Sequence, residues 1–440
     1  MGNLMKNKNV VTLETLEYAS FNQLEKKFGT PLYIFNVDKL RENYRNLENT
    51  FETQYQNLII GYSYKTNYLP HICKELSLLG AYAEVVSRLE YDLAIEIGED
   101  PRRIIFNGPL KSKEDVQLAL ENESIINLDS FYEIDYVNEY ALNNPKKLIK
   151  IGLRVNFDIS LEGFSPLQNG YEVSRFGFCV ENGDVIKAIA KINVLNNIKI
   201  VGFHGHFSTK DRSVETYRKI TINLCKLAKE YISESVEYID VGGGMYGELP
   251  SSFGFNAPTF QEYAEVIGTI MNKEFCDNSC KPYLIIEPGM SMVANVFSFM
   301  AKVMDTKEVR GKQFVLLDGS VHNIKPTMHQ RNLPMKIVRQ HADGGNKRPF
   351  EIVGYTCMEK DYLAHDVHDE LPLRGDYVIF HNVGAYTIVF NPPFIKGRPS
   401  IIALEEGKVY ITRRAETFRQ FFNEEIYCFP KGGNNEYLNL

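Results

Sequence analysis

The chain has 440 residues, 44% of them hydrophobic and 24% charged, with a formal net charge of −7. That length exceeds one small core and suits two domains, or a large barrel with an addition, and the composition is that of an ordinary globular protein. The lack of a basic block argues against nucleic acid as a partner, and no apolar run reaches the length of a membrane span.

In chain order, residues 30–36 (TPLYIFN) read as a strand, and DKLRENYRNLENTF after them carries apolar residues at helical spacing. An alternation then sets in. Strand-like runs are predicted at 58–65, 81–87, 104–108, 126–129, 150–156, 200–207, 238–244 and 283–289, separated by helical stretches such as KEDVQLALEN and TYRKITINLCKLAKEYI. Eight strands alternating with helices have the length and rhythm of a (β/α)8 barrel; an open doubly wound sheet competes, but its early glycine fingerprint is missing. After about residue 295 the segments become short, β-rich and punctuated by Gly, Pro and Asp, which predicts a mostly antiparallel second domain. The expected division is a barrel over 37–293, with 1–36 and 294–440 in the β domain. The tail KGGNNEYLNL is expected to be loose. Seven scattered cysteines, only Cys276 and Cys280 close together, fit reduced thiols in a cytoplasm, and the polar MGNLMKNKNV is unlike a signal sequence.

In such a barrel, function collects where strands end at their C-termini. Those ends carry Lys65, Glu84, Asn107, Asp129, Arg154, His204 with His206, Gly242 to Gly244, and Glu287 with Gly289. A lysine leaving a buried strand needs a reason, because an unpaired buried ammonium is costly; holding a carbonyl cofactor as an imine is one, and simple exit to solvent is the other. Consecutive glycines after the seventh strand suit a phosphate cradle, although a GGG alone is more often a tight turn. Glu287 could hold a protonated ring nitrogen, or be a structural acid paired with Arg154. His206 could stack on a flat ring, bind a metal, or be a core histidine. Together these groups describe a pyridoxal phosphate pocket.

With those residues in hand, the chain from about residue 30 to 400 resembles the fold-type III pyridoxal phosphate enzymes, specifically the diaminopimelate/ornithine decarboxylase family, whose architecture is an alanine-racemase-type barrel plus a β domain. The resemblance implies that Lys65, in GYSYKTN, forms the Schiff base. It places Glu84 as the acid near that lysine and His206, in HGHFST, as the residue stacked on the cofactor. Thr209 falls where the family often has a phosphate-binding serine, Gly243 and Gly244 in its phosphate loop, and Gly289 in the EPG element whose Glu287 meets the pyridine nitrogen. Tyr386, in GAYT, resembles the tyrosine near the phosphate. Cys357, in GYTCMEKDYL, resembles the cysteine contributed by the partner subunit, which implies a homodimer with shared sites and a thiol suited to return the proton after CO2 leaves.

The departures all fall at substrate-contacting positions. Met290 stands where diaminopimelate enzymes usually have Arg after EPG, Lys325 and His329 replace an Arg-x-x-x-Tyr element, and Met358 replaces an acid after the cysteine. Glu359 and Asp361 follow, but a one-residue shift on a strand turns a side chain to the other face. An Arg-to-Met change removes bidentate carboxylate recognition. The expected activity is therefore decarboxylation of an amino acid or amino-acid-derived metabolite whose distal end differs from diaminopimelate. No resident metal is expected. The alternatives are a diaminopimelate decarboxylase with a divergent pocket, an amino-acid racemase, a metal-dependent barrel hydrolase using His204, His206 and Glu287, and a non-catalytic relative.

Overall fold

A computed structural model describes residues 13, 16–276, 281–341 and 347–429. Cys280 and the tail 431–440 lie outside them. Two compact units result. One takes residues up to Asp38, Val296–Val383 and the chain from Phe390 onward, while the other takes Lys39–Asn295 with Gly384–Val389. This division moves one short segment, Gly384–Val389, into the barrel unit, and the hydrogen bond from the Tyr386 amide to the Thr66 carbonyl (2.9 Å) shows why.

The chain begins its strands in the β-rich unit with β1 (Leu32–Asn36). It then runs through β2 (Leu58–Ser63), β3 (Tyr82–Val85), β4 (Ile104–Phe106), β5 (Ile125–Leu128), β6 (Ile149–Asn156), β7 (Phe178–Cys179), β8 (Ile198–His204), β9 (Tyr238–Asp240) and β10 (Tyr283–Ile286). Of these, β2 to β6 and β8 to β10 pair in parallel and close on themselves, β10 returning to β2, which makes the eight-stranded barrel. The two-residue β7 pairs with the end of β6 and was not anticipated from sequence; two residues are too few to show a period.

Period two decides what faces the lumen. Ile59 and Gly61 of β2 point inward, where Ile59 joins Ile105, Val201, Tyr238 and Ile285 in one apolar plug. Tyr238 lies across Gly202, where a Cβ would come within 2.3 Å of its ring, so only glycine leaves room for it. The barrel helices carry their own start signals. Ser112 with Asp115, and Thr259 with Glu262, form capping boxes at the starts of Lys113–Glu121 and Phe260–Glu274.

The β-rich unit continues with β11 (Phe297–Val309), β12 (Lys312–Leu317), β13 (Met335–Val338), β14 (Arg348–Val353), β15 (Tyr362–Asp369), β16 (Tyr377–His381), β17 (Ser400–Glu405) and β18 (Lys408–Arg413). They form a nine-stranded, mostly antiparallel sheet with β1 next to β11 and β17. Phe21, Leu32, Ile34, Met300, Ile379 and Ile402 form the heart of its core, each fully buried apolar side chain contributing about 2 kcal/mol.

Candidate active site

Lys65 does not end β2. It stands in a 3₁₀ turn, Tyr64–Thr66, just beyond the strand, which lifts its side chain to the mouth of the barrel with 35% of it exposed. Its Nζ donates to the carboxylate of Glu84, at the end of the neighbouring β3. Enclosure in the pocket pushes the lysine pKa down, but the carboxylates of Glu84 and then Glu287 outweigh it and hold the ammonium above its ordinary range. A lysine so held reacts as an amine only after giving up a proton, and Glu84 is the acceptor in contact with it.

Asn107 ties two acids together. Its Nδ2 donates to Glu84 Oε1 at 3.1 Å and to Glu287 Oε1 at 2.5 Å. Its own Oδ1 accepts from Asn127 (2.8 Å), and Asn127 accepts from the Tyr238 hydroxyl (2.7 Å), so the side chain is fixed from below. Sequence reading placed Asn107 at a strand end but gave it no role.

Glu287 is 3% exposed and follows β10. Burial alone would raise its pKa, but His204, with Nε2 3.5 Å from Glu287 Oε2, and then Lys65 hold it well below the carboxylate range. Beside it, Asp240 is pushed well upward by burial first and by the Glu287 charge second. The two floor acids are thus pushed in opposite directions. Arg154 does not pair with Glu287, the structural alternative for that acid. Its Nη1 reaches Asp129 at 3.3 Å and its Nη2 donates to the His206 carbonyl at 3.1 Å. For a metal, the three close donors are His204, Asp240 and Glu287, their ligand atoms within 4.8 Å of one another; His206 is not among them.

His206 is committed elsewhere. Its Nδ1 accepts from the Gly243 amide at 3.1 Å, and burial, then the Arg154 cation, hold its pKa down to about 3. It is a neutral, fixed ring across the physiological range. The glycine loop closes against it. A Cβ on Gly243 would fall 2.0 Å from the Glu287 carbonyl oxygen, backbone against backbone. Gly243→Ala is therefore expected to lose pyridoxal phosphate binding and to lower the melting temperature, an overpacking cost of roughly 1–3 kcal/mol; an absorbance titration and a thermal melt check both.

One pocket is lined by Lys65, Thr66, His206, Thr209, Gly243, Gly244, Glu287, Gly289, Met290 and Tyr386, together with Arg212. A roomier cavity, about 530 Å³, opens at the N-terminal ends of the strands around Ile59, Gly152 and Tyr283, with none of Lys65, Glu84, Asn107 and Glu287 in its lining. The sequence-selected cofactor residues therefore converge, Glu84 through its contact with Lys65. Cys357, Lys325, His329, Met358 and Glu359 lie in the β-rich unit. Cys357 sits on an exposed turn after β14, and Glu359 is also exposed. Asp361 cannot replace the acid missing at Met358. It is buried and accepts from the Val321 amide (2.7 Å), the Thr356 amide (2.9 Å) and the Thr356 hydroxyl (2.6 Å), which pins the Cys357 turn. Burial pushes the Lys325 pKa down to about 8 and lowers that of His329 as well.

The donor set fits a pyridoxal phosphate. A reactive lysine has an acid in contact, an ionised carboxylate lies across the floor, and a neutral imidazole is fixed beside a glycine turn. The buried Thr66 hydroxyl lines the pocket with no hydrogen-bond partner, an orphan that a ligand oxygen would satisfy. Bound there, the cofactor supplies an electron sink for bonds broken at the substrate's α-carbon.

A barrel with this site fits a pyridoxal phosphate-dependent enzyme. The model of the pyridoxal binding domain of pyridoxal-dependent decarboxylases matches residues 37–294, and the chain belongs to that family. It is 28% identical over 408 residues to the diaminopimelate decarboxylase of Aquifex aeolicus, covering 92% of this chain and 93% of that one. It is also 28% identical over 418 residues to the enzyme of that name from Methanocaldococcus jannaschii, with coverage of 92% and 93%. A crystal structure of diaminopimelate decarboxylase from M. jannaschii superimposes with a TM-score of 0.82 at 27% identity, over 92% of this chain and 94% of that one. Family membership sets the carboxy-lyase reading above those of a racemase and a metal-dependent hydrolase. Among the described residues no helix is long and apolar enough to cross a membrane.

Proposed function

We propose that the protein releases CO2 from an amino acid or amino-acid-derived metabolite whose distal end differs from that of diaminopimelate. The observation that carries this is Met290. It lines the pocket directly after Gly289, and a thioether there cannot form the paired hydrogen bonds of a guanidinium to a carboxylate. Met358, with Asp361 committed to its own turn, removes the expected partner for a distal ammonium as well.

A diaminopimelate decarboxylase with a rebuilt pocket is the second reading. It is favoured by the names of the relatives and by the M. jannaschii enzyme having been crystallised with L-lysine. Release of CO2 from meso-diaminopimelate, measured beside a panel of amino acids and larger amino-acid conjugates, separates the two. The expected result is a kcat/KM for diaminopimelate roughly 100-fold or more below the best substrate, the scale of discrimination set by unpaired polar groups. Diaminopimelate emerging as the best substrate would overturn the first reading in favour of the second.

The assembly we infer is a homodimer in which Cys357 of one copy completes the Lys65 site of the other. The exposed, pinned turn that carries Cys357 supports it, since a thiol offered outward is placed for a second chain.

A further inference from the structure

Arg212 lies in the loop between β8 and the helix Val214–Tyr231, and neither motif nor resemblance singles it out. It is built to stay in one place. Its φ of +48° is in the left-handed region, which a long side chain rarely occupies without cause. Its carbonyl accepts from the Tyr263 hydroxyl at 2.6 Å. Three residues back in the chain, the loop is stitched to the one after β6 by the Leu167–Thr209 bridge and by Gln168 Nε2 donating to the Thr209 carbonyl at 2.7 Å.

The guanidinium is equally placed. Its carbon lies 4.9 Å from the centroid of the Tyr246 ring, and Nη1 lies 3.5 Å from the sulfur of Met290. A thioether is a weak acceptor, so the remaining donors on the planar edge are open. Among the described residues no carboxylate pairs with Arg212. A half-buried arginine that lines a pocket without an acid is a cation waiting for an anion. The positive end of the eighteen-residue helix Val214–Tyr231, which starts two positions on, acts in the same sense.

We propose that Arg212 is the anion-binding guanidinium of this pocket, supplied from the β8 loop to the place where position 290 carries methionine. Its ligand is an oxyanion that a planar fork can grip: the cofactor's phosphate, or a carboxylate of the substrate. This rests on the pyridoxal phosphate reading and adds a residue to it.

The test is Arg212→Gln in the full chain, stripped of cofactor and titrated in parallel with pyridoxal phosphate and with pyridoxal, which lacks the phosphate. Glutarate, a plain dicarboxylate, is titrated separately into the cofactor-loaded protein. If the phosphate is the ligand, affinity for pyridoxal phosphate falls roughly 10- to 100-fold while that for pyridoxal is unchanged, the scale of a lost hydrogen bond to a charged group. If a carboxylate is the ligand, glutarate affinity falls by that factor and cofactor affinity does not change. In either case Arg212→Met combined with Met290→Arg recovers most of the loss, because the guanidinium returns from the other side. Unchanged binding of all three probes overturns the proposal, as does an equal loss for pyridoxal phosphate and pyridoxal, which marks general damage. Wild-type protein that takes up no pyridoxal phosphate would instead sink the cofactor reading itself.

Discussion

Lys65→Ala is expected to abolish CO2 release, by about 10⁴-fold or more in turnover, and to remove the visible absorbance of the bound cofactor. The alanine deletes the amine proposed to carry the chemistry. It also leaves Glu84, 1% exposed, without the cation it touches, so some stability is lost with activity. Lys65→Arg separates the two effects. It keeps a positive charge beside Glu84 and restores folding, but a guanidinium cannot form the imine, so turnover stays absent. Imine absorbance persisting in the alanine variant would remove Lys65 from its role. The same variant reports on assembly. Lys65→Ala and Cys357→Ala subunits, each inactive alone, should recover about a quarter of wild-type activity when dissociated and mixed, since random pairing makes half the dimers mixed and each mixed dimer has one intact site. No recovery on verified mixing would place Cys357 outside the shared site.

Why the barrel was readable and parts of its site were not is a matter of periodicity. The strand segments 58–65, 126–129 and 200–207 contain or overlap β2, β5 and β8 because strands buried on both faces read as continuous apolar runs. The eight-fold alternation then located the strand ends, and with them Glu84, Asn107 and Glu287. What those ends do to one another could not be read. Arg154 was a candidate partner for Glu287 but binds Asp129, a choice set by side-chain direction across neighbouring strands. Lys65 was read as the end of its strand, whereas a 3₁₀ turn, two residues short of any detectable period, carries it.

Arg212 shows a different limit, and Tyr386, legible only through the likeness of its GAYT motif, shares its backbone geometry. Both are non-glycine residues in the left-handed region, at φ of +48° and +55°. Neither lies in a periodic segment, and although Thr209 was reached through resemblance, nothing in STKDRS marks Arg212 as a pocket residue. The loop geometry that aims them depends on distant partners, Tyr263 for one and Thr66 for the other. A motif finds residues whose neighbours in sequence are their neighbours in function, which reached Tyr386 through GAYT but not Arg212. These two are placed by residues 51 and 320 positions away in the chain.

Glu287→Gln is expected to lower turnover about 100- to 1,000-fold while leaving the fold intact. Glutamine keeps the size of the side chain and an oxygen for Asn107, so what is lost is charge. That charge is the point of the arrangement. Burial works against it, and His204 and then Lys65 hold the carboxylate pKa down in spite of burial, as the proposed role of holding a proton on a ring nitrogen requires. The sign of the stability effect follows. Because the folded pKa of Glu287 is depressed below its unfolded value of about 4.3, its stabilising contribution is present above that pH and lost as pH falls through the folded value. The glutamine variant should therefore show a shallower fall in melting temperature on acidification than wild type. Asp240 moves the other way. Raised by burial and by its charged neighbour, it should ionise more readily once position 287 is neutral. If it then takes over as the floor acid, Glu287→Gln would retain substantial turnover, and adding Asp240→Asn would remove it. If Glu287 alone holds the ring, the single change already brings turnover to that lower level, and the second adds little.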